Sequence, residues 1–151
     1  MSAEPRDLAE HLDAVVLAVF RTTTADRTQL SLTAAAVLAR LQRSGPARLT
    51  ELATGEGITQ PSMTTLVARL VAQGLVDRAV DPADRRAVVL TLTPAGAELL
   101  ARRRTDRTDR LAPYLAELSS EEREQIAAAM PALTALAGAV RRSRTQMEVS
   151  R

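Results

Sequence analysis

The apolar pattern of this chain leaves helical spacing in only one place, and that departure constrains the fold more than any other feature. Two short runs, residues 75–80 and 87–92, carry Leu75, Val76, Val80 and then Val88, Val89, Leu90 and Leu92 in the manner of strands. Between them lie Asp81, Pro82, Ala83, Asp84, Arg85 and Arg86, which are polar and turn-forming. The order predicts one β-hairpin with a charged tip. An isolated hairpin is too small to be stable alone and needs helices to pack against. The fold class is therefore mainly α with a small β component (α+β).

The helical segments on either side can be read from their caps. From Asp7 to about Thr24, Leu8, Leu12, Val15, Val16, Val19 and Phe20 recur on one stripe. A second helix begins near Ser31, runs through Ala35, Val37, Leu38 and Leu41, and stops at Gly45 and Pro46. Thr50 is placed to cap a short helix through Glu51, Leu52 and Ala53, closed by the turn at Gly55, Glu56 and Gly57. Thr59 then caps a helix that tolerates Pro61 in its first turn and turns Met63, Leu66, Val67, Leu70 and Val71 inward as far as Gly74. Two short helices joined by a tight glycine turn make a helix-turn-helix pattern. After the hairpin, Thr93 and Pro94 start a helix that continues towards Leu111 and Tyr114 in spite of Pro113. Ser119 and Glu122 have capping-box spacing and open a last helix through Ile126, Met130, Leu133, Leu136 and Val140, with a kink expected at Pro131 and a tail from about Arg141.

Composition narrows the chemistry. Of 151 residues, 46% are hydrophobic but only Phe20 and Tyr114 are aromatic, so the core must be Leu, Val and Ala packed between helices. There is no cysteine and His11 is the single histidine, which excludes thiolate nucleophiles, disulfides, Cys-ligated zinc, a His-based metal cluster and a His-containing triad. No pairing of Asp, Glu, Ser and Arg makes a recognisable catalytic constellation. We therefore expect no enzyme, no cofactor and no metal. The basic residues are all Arg, so a net charge of +2 coexists with a high isoelectric point, which is weak evidence by itself for a nucleic-acid partner. No apolar run is long enough to span a bilayer, and the polar start at Ser2, Glu4, Arg6 and Asp7 is unlike a secretory signal, so a cytoplasmic protein is expected.

The segment Gly74-Leu75-Val76-Asp77-Arg78, followed by Asp81-Pro82-Ala83-Asp84-Arg85-Arg86-Ala87 and Leu90-Thr91-Leu92-Thr93-Pro94-Ala95-Gly96, resembles the wing signature of the MarR (multiple-antibiotic-resistance regulator) family. The order of elements is similar to that family over almost the whole chain. The resemblance implies a winged helix-turn-helix regulator, most often a repressor, that binds double-stranded DNA as a homodimer. It divides the chain into an N-terminal dimerisation helix (1–30), a DNA-binding domain (31–92), C-terminal dimerisation helices (93–145) and a tail (146–151).

The residues themselves support a DNA-reading site. A helix that shows small polar side chains in its first turns can enter the major groove, and here Gln60, Ser62, Thr64 and Thr65 are the candidates. Thr65 stands where the family often has Arg, so a guanine contact is not implied there. Arg69 is a phosphate candidate, as are Arg40, Arg43 and Arg48; each of the four could equally make an internal salt bridge or sit in water. Arg85 and Arg86 sit on a narrow tip able to reach a minor groove, and by resemblance Asp84 orients a wing arginine, Arg86, or holds the hairpin on its base. The plainer readings are a solvated hairpin tip and an ordinary amphipathic helix.

Twofold symmetry implies a pseudo-palindromic operator with recognition helices roughly 34 Å apart. The family resemblance also implies a small aromatic or phenolic effector bound between the dimerisation helices and the DNA lobe. Scarce aromatic residues keep two alternatives open: a constitutive regulator without ligand, and a winged-helix module for protein association. His11 is read as a lone surface or interface histidine. Arg102, Arg103, Arg104, Arg107 and Arg110 are read as a solvated, salt-bridged face.

Overall fold

The computed structural model describes residues 4–23, 30–81, 84 and 87–149, with side chains through 140 and at 142 and 143. The elements are α1 (Pro5–Thr23), α2 (Leu32–Ser44), β1 (Ala47–Arg48), α3 (Leu49–Glu56), α4 (Gln60–Ala72), β2 (Val76–Val80), β3 (Val88–Leu92), α5 (Pro94–Glu117) and α6 (Ser120–Val149). They form two compact units. One combines Leu30–Arg102 with Ala128–Arg151, and the other combines Met1–Gln29 with Arg103–Ala127.

The first of these units holds the buried core. Val37 and Leu38 of α2, Leu52 of α3, Met63, Val67 and Leu70 of α4, Val76 of β2 and Leu90 of β3 are all buried there. Burying one such side chain stabilises by roughly 1.5–3 kcal/mol relative to leaving it in water. The expected inward stripe of α4 is present, with Leu66 and Val71 half-buried beside the three fully buried positions.

The helix ends follow the chemistry of their caps, with one correction. Ser31 caps α2, its Oγ accepting from the Ala34 N–H at 3.2 Å. Thr59 caps α4 through the Ser62 N–H. Thr50, expected to cap α3, instead lies inside its first turn. The helix begins two residues earlier because Arg48 takes the cap position and donates its N–H to the Glu51 carboxylate at 2.9 Å. Gly57 closes α3 in the left-handed region at φ 65°, where its N–H reaches Thr54 O and the next N–H, of Ile58, reaches Ala53 O. That turn lets α4 start only three residues after Gly57, as a helix-turn-helix requires.

The sheet has three antiparallel strands in the order β1-β3-β2. The expected hairpin is β2 with β3, in register Val76↔Leu92 through Val80↔Val88. The extra strand β1 pairs Ala47 with Leu90 and Arg48 with Val89. Two residues carry no period, so nothing in the local pattern marks β1.

Thr93 joins the hairpin to α5. Its Oγ1 donates to Gly74 O at 2.7 Å and accepts from the Gly96 N–H at 3.0 Å, while its own N–H reaches Leu75 O. The α5 helix continues through Pro113 as expected. At α6, Ser119 and Glu122 form the predicted reciprocal box: the Ser119 N–H and hydroxyl both donate to the Glu122 carboxylate at 2.8 Å, and the Glu122 N–H donates to Ser119 Oγ. Those bonds hold the Glu122 carboxyl below its ordinary pKa. This contribution is in place above the ordinary carboxylate pKa and fades as pH falls through the lowered one.

Two expectations change. The last helix runs to Val149, past the tail expected from about Arg141 and the boundary at 145; Arg, Gln, Met and Glu in that stretch are good helix formers. The arginine run of α5 is not uniformly solvated. Arg102 does pair with Glu98 one turn back at 2.8 Å, whereas Arg103 is 9% exposed.

Candidate nucleic-acid interface

The candidate interface is built on the outward face of α4. Because Met63, Val67 and Leu70 turn inward, helical geometry turns Gln60, Ser62, Thr64, Thr65 and Arg69 outward, and all five are exposed. Packing against α3 and β2 holds the helix from behind.

The hydroxyls on this face differ in what they offer. Thr64 Oγ1 donates to Gln60 O at 2.9 Å and Thr65 Oγ1 donates to Pro61 O at 3.1 Å. Their protons are used within the helix, so outward they present lone pairs and methyl groups, suited to an amino group or a thymine methyl. Ser62 Oγ instead accepts from Thr59 Oγ1 at 2.9 Å, which leaves its own proton to donate outward to a phosphate or base oxygen. Gln60 can offer both a donor and an acceptor. An open groove of about 430 Å³ runs between Ser31 and Thr33 at the start of α2 and Ser62, Thr65 and Arg69 of α4.

The other arginine candidates separate in the structure. Arg43 is exposed at the end of α2. The guanidinium of Arg40 rests on Gly55, where a β-carbon would fall on it. Arg48 is engaged internally: its Nε and Nη2 donate to Asp81 Oδ2 at 3.1 and 2.6 Å. Asp81 is 13% exposed against 42% for Arg48. The Asp81 hydrogen bond, and then its charge, hold the Arg48 guanidinium above its ordinary pKa, so it is a fixed cation.

At the wing, Arg85 and Arg86 lie outside the described residues. Asp84 is exposed, and its main chain ties the hairpin end, its N–H reaching Asp81 O and its carbonyl accepting from the Ala87 N–H. The Asp81 N–H closes the loop on Ala87 O at 2.9 Å. Sequence reasoning singled out Asp84 and passed over Asp81, whose partner Arg48 lies 33 positions away with no local signal.

Away from this face, His11 is exposed on α1 and its Nδ1 lies 2.7 Å from Asp7 O, which makes that nitrogen the donor. Among the described residues no cluster of His, Cys, Asp or Glu could hold a metal ion. No described helix is long and apolar enough to cross a membrane.

A tight helix-turn-helix whose second helix shows a polar face, followed by a β-hairpin, defines a winged helix-turn-helix, the class of module that lays a helix in the major groove. Comparison with known proteins gives the family. The MarR family profile matches residues 30–88. An uncharacterised helix-turn-helix-type transcriptional regulator of Mycobacterium bovis is 36% identical over 107 residues, covering 71% of this chain and 75% of the relative. Among solved structures, the transcriptional regulator Tm0710 of Thermotoga maritima superposes with a TM-score of 0.73 at 25% identity, covering 93% of this chain and 98% of that one. The regulator BpsR of Bordetella bronchiseptica, whose DNA binding is regulated by 6-hydroxynicotinic acid, gives 0.54 at 26% identity over 89% of this chain and 95% of its own. The chain belongs to the MarR family of transcriptional regulators.

Proposed function

We propose that this regulator is a sequence-specific repressor that binds a pseudo-palindromic operator as a homodimer and blocks transcription by occupying the promoter. The observation that carries the reading is the polar outer face of α4, held rigid by Met63, Val67 and Leu70 beneath it. Gln60, Ser62, Thr64 and Thr65 read base edges, Arg69 contacts phosphate, and Arg85 and Arg86 reach the flanking minor groove. The homodimer is supported by two uncovered apolar faces. On α1, Leu8 is 60% exposed, Val15 58% and Val16 53%; on α6, Met130 is 49% exposed and Leu136 46%. Contiguous apolar surface of this kind marks association rather than free solvent. Control by a small effector is supported by the likeness to BpsR and works by favouring a dimer whose two reading heads are wrongly spaced.

Selection of duplexes from random-sequence DNA by the full-length protein tests this reading. The expected product is a motif with two inverted halves about one DNA turn apart, bound by a species that sediments as a dimer. A lone half-site bound by a monomer would refute the dimeric reading, and enrichment of no motif would refute sequence-specific binding. On the selected duplex, Arg86→Ala should weaken binding by roughly 1–3 kcal/mol and leave the sedimentation unchanged. Equal affinity in that variant would remove the wing arginine from the interface.

A further inference from the structure

The strand β1 is only two residues long, yet it carries the arginine that spans the sheet. In the order β1-β3-β2, Arg48 sits on one edge strand, and Asp81 directly follows the end of the other. The two bonds from Arg48 to Asp81 Oδ2, at 3.1 and 2.6 Å, therefore cross the central strand β3 and tie its two neighbours together. Arg48 is also the cap residue of α3, fixed there by its N–H on Glu51. Asp81 is the residue on which the hairpin loop closes, through its N–H on Ala87 O and its carbonyl under the Asp84 N–H. One ion pair thus connects the first helix of the helix-turn-helix to the base of the wing tip. With Asp81 mostly shielded from water, this charge-assisted contact is stronger than a pair on an open surface.

We propose that Arg48 and Asp81 form a positioning clamp, which sets where the wing stands relative to α3 and α4 and raises DNA affinity without either residue touching DNA. For its consequence the clamp rests on the DNA-binding reading above; for its geometry it does not. The β1–β3 ladder ends at Arg48↔Val89, and past it the hairpin rests on β2–β3 pairing alone. Without the tie its end can twist and must be ordered again on each binding event. Holding it beforehand lowers that cost. The clamp also assigns Arg48 away from the phosphate contacts for which its charge alone would qualify it.

The test uses Asp81→Asn, Arg48→Gln and the double variant in the full-length protein. Binding is measured by anisotropy on the duplex selected by the wild type, with thermal unfolding and limited trypsin digestion run beside it. Each single variant should weaken binding by about tenfold, and the double variant should bind no worse than either single one, because both remove the same tie. Melting temperatures should stay within a few degrees, while trypsin should cut after Arg85 or Arg86 faster in all three variants than in the wild type. Tighter binding in Asp81→Asn together with weaker binding in Arg48→Gln would overturn the clamp, since it would mean that a released Arg48 grips phosphate. Additive losses, unchanged affinity, or tip cleavage at the wild-type rate would overturn it as well. If the wild type selects no duplex, the DNA-binding reading falls, and the trypsin comparison alone decides the clamp.

Discussion

Ser62→Glu should lower DNA affinity by on the order of a hundredfold while leaving the fold at least as stable as before. The two effects have opposite signs for separate physical reasons. Ser62 is exposed on the face assigned to DNA, and its hydroxyl is the one placed to donate outward. A carboxylate there meets phosphates and base acceptors with like charge and offers no proton, which costs several kcal/mol at a docked interface. For the helix, the same position is the third after the Thr59 cap. A glutamate there can accept the Thr59 N–H and complete a capping box, and its charge suits the positive end of the helix. The readouts are anisotropy on a selected duplex and thermal unfolding of the same preparation. Lost binding with lost stability would mean only that the helix had been damaged. Retained binding would take Ser62 out of the interface.

Gly96→Ala should destabilise the protein by about 1–3 kcal/mol, although alanine is the better residue in nearly every other helix. A β-carbon at Gly96 would lie 2.4 Å from the Leu75 carbonyl oxygen and 2.6 Å from Leu92 Cδ1. The first of those is main chain and has nowhere to go, because the Leu75 carbonyl also accepts the Thr93 N–H. Thr93 pins the same approach from its other side through Gly74 O and the Gly96 N–H. Accommodating the methyl requires α5 to move off the turn that leads into β2. Gly55→Ala is the matched control. Its β-carbon meets only the far end of the Arg40 side chain, which can swing away, so that variant should be neutral or slightly stabilising. Thermal unfolding of both proteins decides the point. A Gly96→Ala protein as stable as wild type would contradict the close approach.

What the sequence disclosed and what it withheld divide along local and non-local lines. The caps at Ser31, Thr59 and Ser119 were legible because a hydroxyl and its backbone partner lie within one turn of each other. The strands of the wing were legible because five paired residues on each side are enough to show a period. The polar face of α4 followed from knowing which side was buried. By contrast, β1 exists because Leu90 and Val89 offer a free edge to Ala47 and Arg48, and two residues cannot announce that. The start of α3 depended on Glu51 reaching back to Arg48, which overrode the expected Thr50 cap. The Arg48–Asp81 tie depends on a sheet that brings distant residues together. Burial of Arg103 likewise had no sign in a run of charges that are otherwise exposed or, at Arg110, half-buried.

The central claim, that this protein reads DNA sequence, is tested most directly by anisotropy of the full-length protein. The duplexes are one taken from upstream of its own coding sequence, one selected from random DNA and a scrambled control, titrated across a salt series. The expected result is preferential binding to the selected duplex by at least about a thousandfold over the scrambled one, with affinity falling steeply as salt rises. Equal affinity for all three duplexes at every salt concentration, or no binding even at low salt, would contradict it.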